Sequence, residues 1–188
     1  MRFLAISGSA RRLSTNAALL RGLRDVAPPG VTLSLFESVA RLPVFSPDLE
    51  GEATPRAVRA FIDAVAAADG LIISSPEYVR TIPGGLKNAI DWLVSGDQIV
   101  EKPIVLAHAS HRGDDMLATL RTVLSTVSSN FDAELFLRLP LMTKTPDEIA
   151  AILGAPEVRR QAKQFLQGFV VYCDRCATSR KNAAFRVE

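Results

Sequence analysis

Short apolar runs alternate with longer stretches of helical periodicity from one end of the chain to the other. The runs predict strands over Arg2–Ser7, Val31–Phe36, Gly70–Ser75, Pro103–Ala109 and Ala133–Leu139. The longer stretches predict helices over Asn16–Val26, Pro55–Ala68, Pro83–Val94, Asp115–Val127 and Glu157–Tyr172, with a short helical turn at Pro146–Leu153. The strands are mostly apolar on both faces, as strands of a buried parallel sheet are. A series of β-α units implies a parallel sheet covered by helices on both sides. Right-handed crossovers wind such a series into a three-layer α/β sandwich.

Five strands with a ligand loop after the first match the flavodoxin-like order 2-1-3-4-5. In that arrangement ligands lie at the carboxyl ends of the strands, beside the switch point between the first and third. The loops after strands one, three and four are therefore the candidates for chemistry. The segment from Ala40 to Thr54 is long for a compact domain and suits a lid or an interface element.

At 188 residues the chain is expected to form one domain over 1–173, followed by a polar tail over 174–188. The net charge of +2 is small, the arginines are scattered and aromatics make up 6%, so no nucleic-acid surface is expected. No apolar run reaches the roughly 20 residues that a membrane span needs, so no membrane partner is expected. The chain enters its first strand without a signal-peptide pattern, and a cytoplasmic location is expected. The cysteines lie in Cys173-Asp174-Arg175-Cys176, at the expected end of the last helix, where the dipole disfavours a thiolate. Two cysteines do not complete a zinc site. They are expected to stay reduced, no metal is expected, and the polar stretch from Thr178 to Glu188 is expected to fray.

The first candidate loop reads Gly8-Ser9-Ala10-Arg11-Arg12-Leu13-Ser14-Thr15-Asn16, between a strand and a helix. A helix start presents unpaired, partially positive amides and is a seat for phosphate. Ser9, Ser14 and Thr15 add hydroxyl donors, Asn16 an amide and Arg11 a charge-assisted bond. The loop has neither the P-loop pattern nor the dinucleotide G-x-G-x-x-G. Its hydroxyl-rich character suits a terminal monophosphate. An N-cap from Ser14 or Thr15 accounts for part of the pattern but not for Arg11, Arg12 and Asn16.

The second candidate loop follows strand three as Ser75-Pro76-Glu77-Tyr78-Val79-Arg80-Thr81-Ile82-Pro83-Gly84-Gly85. Pro76 stiffens the exit from the sheet and Pro83 suits a helix start. Tyr78 offers an aromatic face, and Gly84-Gly85 leave backbone exposed. A planar heteroaromatic ring fits such a loop, and so does a surface turn whose tyrosine packs on its neighbours.

Together the two loops resemble the NADPH-dependent FMN reductase family, flavodoxin-like enzymes that include quinone, chromate and azo-compound reductases. The family pattern G-S-x-R-x-x-S-x-N is matched by Gly8, Ser9, Arg11, Ser14 and Asn16. The pattern P-E-Y-N-x-S-x-P-G-x-L-K-N-A-I-D-W is matched by Pro76, Glu77, Tyr78, Pro83, Gly84 and the run Leu86 to Trp92. The resemblance in element order covers Met1 to Tyr172.

The resemblance implies FMN as cofactor, with its phosphate on Gly8, Ser9, Arg11, Ser14, Thr15 and Asn16. It implies a ring lined by Pro76, Glu77, Tyr78, Val79 and Arg80, with a contact from Ser110. It implies hydride transfer from NADPH or NADH through the flavin to a small-molecule acceptor such as a quinone. Turnover is then ping-pong, with no side chain required as nucleophile or general acid. A homodimer or homotetramer is also implied, and the Leu86–Val94 face with Trp92 suits either a subunit contact or simple core packing.

Two departures stand out. Val79 and Thr81 replace the family's asparagine and serine. The third loop, Ala109-Ser110-His111-Arg112-Gly113-Asp114-Asp115, replaces a glycine-rich turn with bulkier residues. His111 suits a functional role, a solvated loop position or a pairing with Asp114. Arg112 suits either the 2′-phosphate of NADPH or an ion pair with Asp114 or Asp115. The competing readings are a flavodoxin-type electron carrier, which the pI near 8.7 disfavours, and a dehydrogenase using Glu37 as ribose ligand, which the missing glycines disfavour.

Overall fold

A computed structural model describes residues 1–11 and 13–184. Its centre is one parallel sheet of β1 (Arg2–Ser7), β2 (Thr32–Phe36), β3 (Gly70–Ser74), β4 (Ile104–His108) and β5 (Phe131–Arg138). The strands lie in the order β2-β1-β3-β4-β5, as the periodicity predicts. Strand β1 pairs in parallel with β2 on one side and β3 on the other, so the order in which strands are added reverses there. The helices are α1 (Thr15–Arg24), α2 (Arg56–Ala67), α3 (Gly84–Asp91), α4 (Asp114–Val127), α5 (Pro146–Gly154) and α6 (Pro156–Ala184).

The two-residue period of the pleat sorts the apolar strand residues into two cores. Leu4, Ile6, Leu71, Ile73, Ile104 and Leu106 pack with Phe61 of α2, Leu86 of α3 and Leu120 of α4. Phe3, Ala5, Ile72, Val105 and Ala107 face the other way and pack with Leu20 of α1, Ile149 of α5 and Phe169 of α6. Both faces of the sheet are dry, which fixes the C-terminal strand ends as the place where loops meet solvent and ligand.

The last helix differs from expectation. It continues past Tyr172 to Ala184 and takes up most of the segment expected as a polar tail. No glycine or proline interrupts it between those residues. Cys173 and Cys176 continue the buried stripe of Phe165, Leu166 and Phe169, and so lie inside the helix instead of at its end. Both thiols are free, and burial pushes that of Cys173 up to about 12. Residues 185–188, part of the stretch expected to fray, lie outside the described residues. Among the described residues no helix is long and apolar enough to cross a membrane.

The segment expected as a lid is tied down. It winds through short 3-10 turns at Val39–Arg41, Pro47–Leu49 and Gly51–Ala53. Asn88 of α3 accepts a bond from Phe45 N at 2.7 Å and donates to Pro43 O at 2.9 Å. Trp92 Nε1 donates to the same carbonyl at 2.8 Å, and its ring meets Phe45 edge-on at 5.1 Å. Trp92 is buried among these partners of its own chain, the core-packing alternative for that face. Its size and its N–H both find partners within the chain, as a buried indole requires.

Candidate functional site

The loops after β1, β3 and β4 converge on a cleft of about 290 Å³. Thr15 and Asn16 line it from the first loop, Pro76 and Glu77 from the second, and Ser110, Arg112 and Gly113 from the third. His108 and Met142 complete the wall. A larger cavity, about 610 Å³, lies between α3 and α4 and is lined by residues such as Ile90, Val94 and Val123. It carries none of the phosphate-loop chemistry, so the smaller cleft is the candidate site.

The first loop is built from below by buried hydroxyls. Ser9 Oγ accepts from Arg11 N at 3.2 Å, and Ser14 Oγ caps α1 by accepting from Ala17 N at 3.3 Å. Gly8 is a packing requirement: a Cβ there would lie 2.8 Å from Leu86 Cδ2 and 2.9 Å from Ser75 Oγ. Asn16 is buried, and its Oδ1 accepts from Ser74 Oγ at 2.9 Å, which leaves its Nδ2 without an acceptor among the described residues. The Thr15 and Asn16 amides likewise have no acceptor among the described residues. Helix α1 carries no acidic residue in its first turn, so its positive end is not neutralised. Arg11 is exposed at the rim and forms no ion pair among the described residues. Arg12, also counted in the anion reading, lies outside the described residues. A phosphate is the chemistry these orphan donors fit.

The second loop is a tight hairpin. Tyr78 and Thr81 exchange both backbone hydrogen bonds, at 3.0 and 3.1 Å. Val79 and Arg80 take the two left-handed positions, φ 52° and 59°, of a type I′ turn. Val79 is 96% exposed and Tyr78 46% exposed. Neither these two nor Arg80 lines the cleft; only Pro76 and Glu77 of the second-loop set do. At the φ of 52° that Val79 adopts, asparagine is better tolerated than a β-branched residue. Arg80 pairs with Asp115 at 2.6 Å.

The third loop is held from behind. Asp114 pairs with Arg138 at 2.9 Å, and Asp115 is taken by Arg80. The expected pairings of Asp114 with His111 and of Arg112 with either acid are therefore absent among the described residues. His111 is exposed, while Arg112 borders the cleft. Ser110 Oγ accepts from Arg112 N at 2.9 Å and donates to Met142 Sδ at 3.4 Å. Sequence reasoning missed Met142 and His108. Met142 sits on the loop after β5, which carries no motif. His108 reads as one more residue of a strand, and only its polarity at a buried strand end marks it.

A doubly wound sandwich with an anion-ready loop at its switch point defines a flavodoxin-like ligand-binding protein. The profile of the NADPH-dependent FMN reductase family matches residues 1–132, and the chain belongs to that family. It is 34% identical over 113 residues to a quinone reductase of Escherichia coli (strain K12), covering 58% of this chain and 60% of that protein. It is 40% identical over 92 residues to a 2-hydroxy-1,4-benzoquinone reductase of Burkholderia sp, covering 49% of each. The matched segments thus span less than two thirds of these relatives. Among solved structures, FerB, a flavoenzyme NAD(P)H:(acceptor) oxidoreductase from Paracoccus denitrificans, aligns with a TM-score of 0.74 at 22% identity, over 93% of this chain and 97% of that one. That likeness is one of fold.

Proposed function

We propose that the protein is a flavin-dependent oxidoreductase that uses NAD(P)H to reduce quinones or similar small acceptors. The observation that carries this reading is the convergence of unsatisfied donors at the start of α1 with the second and third loops on one cleft. When bound, FMN would supply the two-electron chemistry. The chain supplies binding and orientation. The Thr15 and Asn16 amides, the Asn16 side chain and Arg11 hold the phosphate. Pro76, Glu77, Ser110 and Gly113 wall the space beyond it. Gly8, Ser9 and Ser14 support the phosphate loop from beneath. Tyr78, Val79 and Arg80 shape the hairpin at the cleft's edge, with the Tyr78 ring available to a ligand that extends beyond the rim. Loading with FMN followed by gel filtration tests the cofactor: flavin absorbance that travels with the protein supports it, and loss of all flavin contradicts it.

The dehydrogenase alternative loses its ribose ligand, because Glu37 is engaged by Arg21 at 2.7 Å. The basic pI disfavours a carrier that docks by acidic charge. A cytoplasmic home accords with two free cysteines and with NAD(P)H as donor, and cell fractionation tests it. Assembly into a homodimer or homotetramer is part of the same reading. Val94 and Val100 are 60% and 50% exposed beside the α3–α4 cavity, and they are the surface on which a second copy would close. Sedimentation velocity reads this directly, and a monomer at every concentration contradicts it.

A further inference from the structure

His108 ends β4 beneath the cleft and is 2% exposed. Its Nε2 lies 2.6 Å from the carbonyl oxygen of Arg112, an atom that only accepts, so Nε2 carries the proton. The opposite nitrogen, Nδ1, is buried and has no hydrogen-bond partner among the described residues. The Ser75 backbone lies near the ring and favours its protonation without meeting hydrogen-bond geometry at Nδ1. The same Arg112 carbonyl accepts from Arg138 Nη2 at 3.1 Å, while Arg138 Nε donates to Ser110 O at 2.8 Å. Gly113, at φ 101°, closes on the imidazole so tightly that a Cβ would stand 3.0 Å from Nε2. One imidazole and one guanidinium thus hold the Ser110 and Arg112 carbonyls of a loop that contains a single glycine.

We propose that His108 is a positioning residue: with Arg138 it fixes the Ser110–Gly113 loop, and through that loop the wall against which the flavin and its second substrate lie. The inference rests on the flavin-reductase reading of the same cleft. Nothing in the motif-bearing loops assigns His108 a role, and it need not touch the reacting atoms. Its donor to Arg112 O makes the side chains behind the loop do what a glycine-rich sequence would do by backbone freedom.

Nε2 can donate to the Arg112 carbonyl in either protonation state, and burial is what favours the neutral ring. Burial pushes the His108 pKa below its usual value, and Arg138 from β5 pushes the same way; the Arg112 carbonyl and Asp114 from α4 oppose it. Glu77, the acid facing this region from the second loop, is bonded to Met116 N at 3.2 Å. A second proton would sit on buried Nδ1, with the nearby Ser75 backbone alone to receive it among the described residues. A released ring protonates at about 6.5, while the clamped ring resists. The clamped loop therefore loses its advantage as pH falls below about 6.5 toward the depressed value.

The test is FMN titration by fluorescence quenching between about pH 5 and pH 8, on wild type, His108→Leu and His108→Gln. Hydrogen exchange at residues 110–113 of the flavin-free proteins accompanies it. Glutamine places an amide near Nε2 and does not titrate. His108→Leu is expected to weaken FMN about tenfold at neutral pH, the scale of one hydrogen bond, and to speed exchange in the loop. His108→Gln is expected to bind within about twofold of wild type at neutral pH, and to decline less steeply than wild type on acidification, the remaining decline being that of the FMN phosphate, which protonates near about 6. Wild-type affinity in His108→Leu, or an acid decline in His108→Gln matching that of wild type, overturns the proposal. If His108→Leu does not fold, the comparison of His108→Gln with wild type still decides. Failure of wild type to bind FMN at any pH removes the flavin reading itself and this inference with it.

Discussion

The carboxylate of Glu77 accepts a hydrogen bond from the backbone N–H of Met116 at 3.2 Å. The residue at the N-cap of α4 is Gly113, which has no side chain to satisfy that turn, so the second loop provides the acceptor for the helix that follows the third. Arg80 reaches Asp115 in the same first turn. The second and third loops are thereby joined across the cleft they border. Arg80 and Asp115 are both exposed, so the neutral-backbone contact of Glu77 is the more durable of the two links.

Arg11 is a test of where the phosphate sits. Arg11→Ala should weaken FMN by about 1.5–3 kcal/mol, the range of a charge-assisted hydrogen bond. Riboflavin has no phosphate and should lose much less. Isothermal titration of both ligands separates the cases, and equal losses would place the phosphate elsewhere.

Val79 is a β-branched residue at φ 52°, with its side chain almost wholly in solvent. Left-handed backbone costs an ordinary L-residue about 1–2 kcal/mol, and asparagine less. Val79→Asn should therefore raise the thermal midpoint of the flavin-free protein, by about 0.5–1 kcal/mol of stability. FMN affinity should stay unchanged. A tighter flavin with no gain in stability would return the side chain to the site.

Arg112 borders the cleft and is left without an acidic partner among the described residues, because Arg138 and Arg80 hold the neighbouring acids. Guanidinium matches phosphate geometry. Arg112→Ala should raise KM for NADPH and spare NADH, which lacks the 2′-phosphate. An equal fall in kcat/KM with both cofactors would assign the arginine to the loop alone.

The Cys173 thiol titrates at about 12 in the folded protein because burial disfavours the thiolate. An unfolded thiol ionises near about 8.5. The folded state keeps a proton that the unfolded state gives up, so this group's contribution to stability falls as pH rises above about 8.5. Native protein should resist a thiol reagent at about pH 8, and denaturant should release both cysteines. Rapid labelling of Cys173 without denaturant would contradict its burial.

The sheet order was legible because both faces of each strand are apolar and the helices between them have clear periods. The end of α6 was not, because Cys173 and Cys176 look polar-flanked in sequence, and only the packing shows them extending the stripe from Phe165. Motif matching marked Glu77, Asn88 and Trp92 alongside the phosphate loop, but it does not separate residues that face a ligand from residues that hold the fold. Glu77 lines the cleft and also caps a helix, whereas Asn88 and Trp92 pin the 43–45 segment. His108 and Met142 were silent because each comes from a part of the chain without a motif. What places them in the cleft is the adjacency of β4 and β5, a relationship visible only in three dimensions.

The account is tested most directly by anaerobic reduction of the FMN-loaded protein with NADPH, followed by addition of a benzoquinone. The account predicts that flavin absorbance bleaches on mixing with NADPH and returns as quinone is added, with one quinone consumed per flavin reoxidised. Stable FMN binding with no bleaching by NADPH or NADH would contradict it and leave an electron carrier in its place.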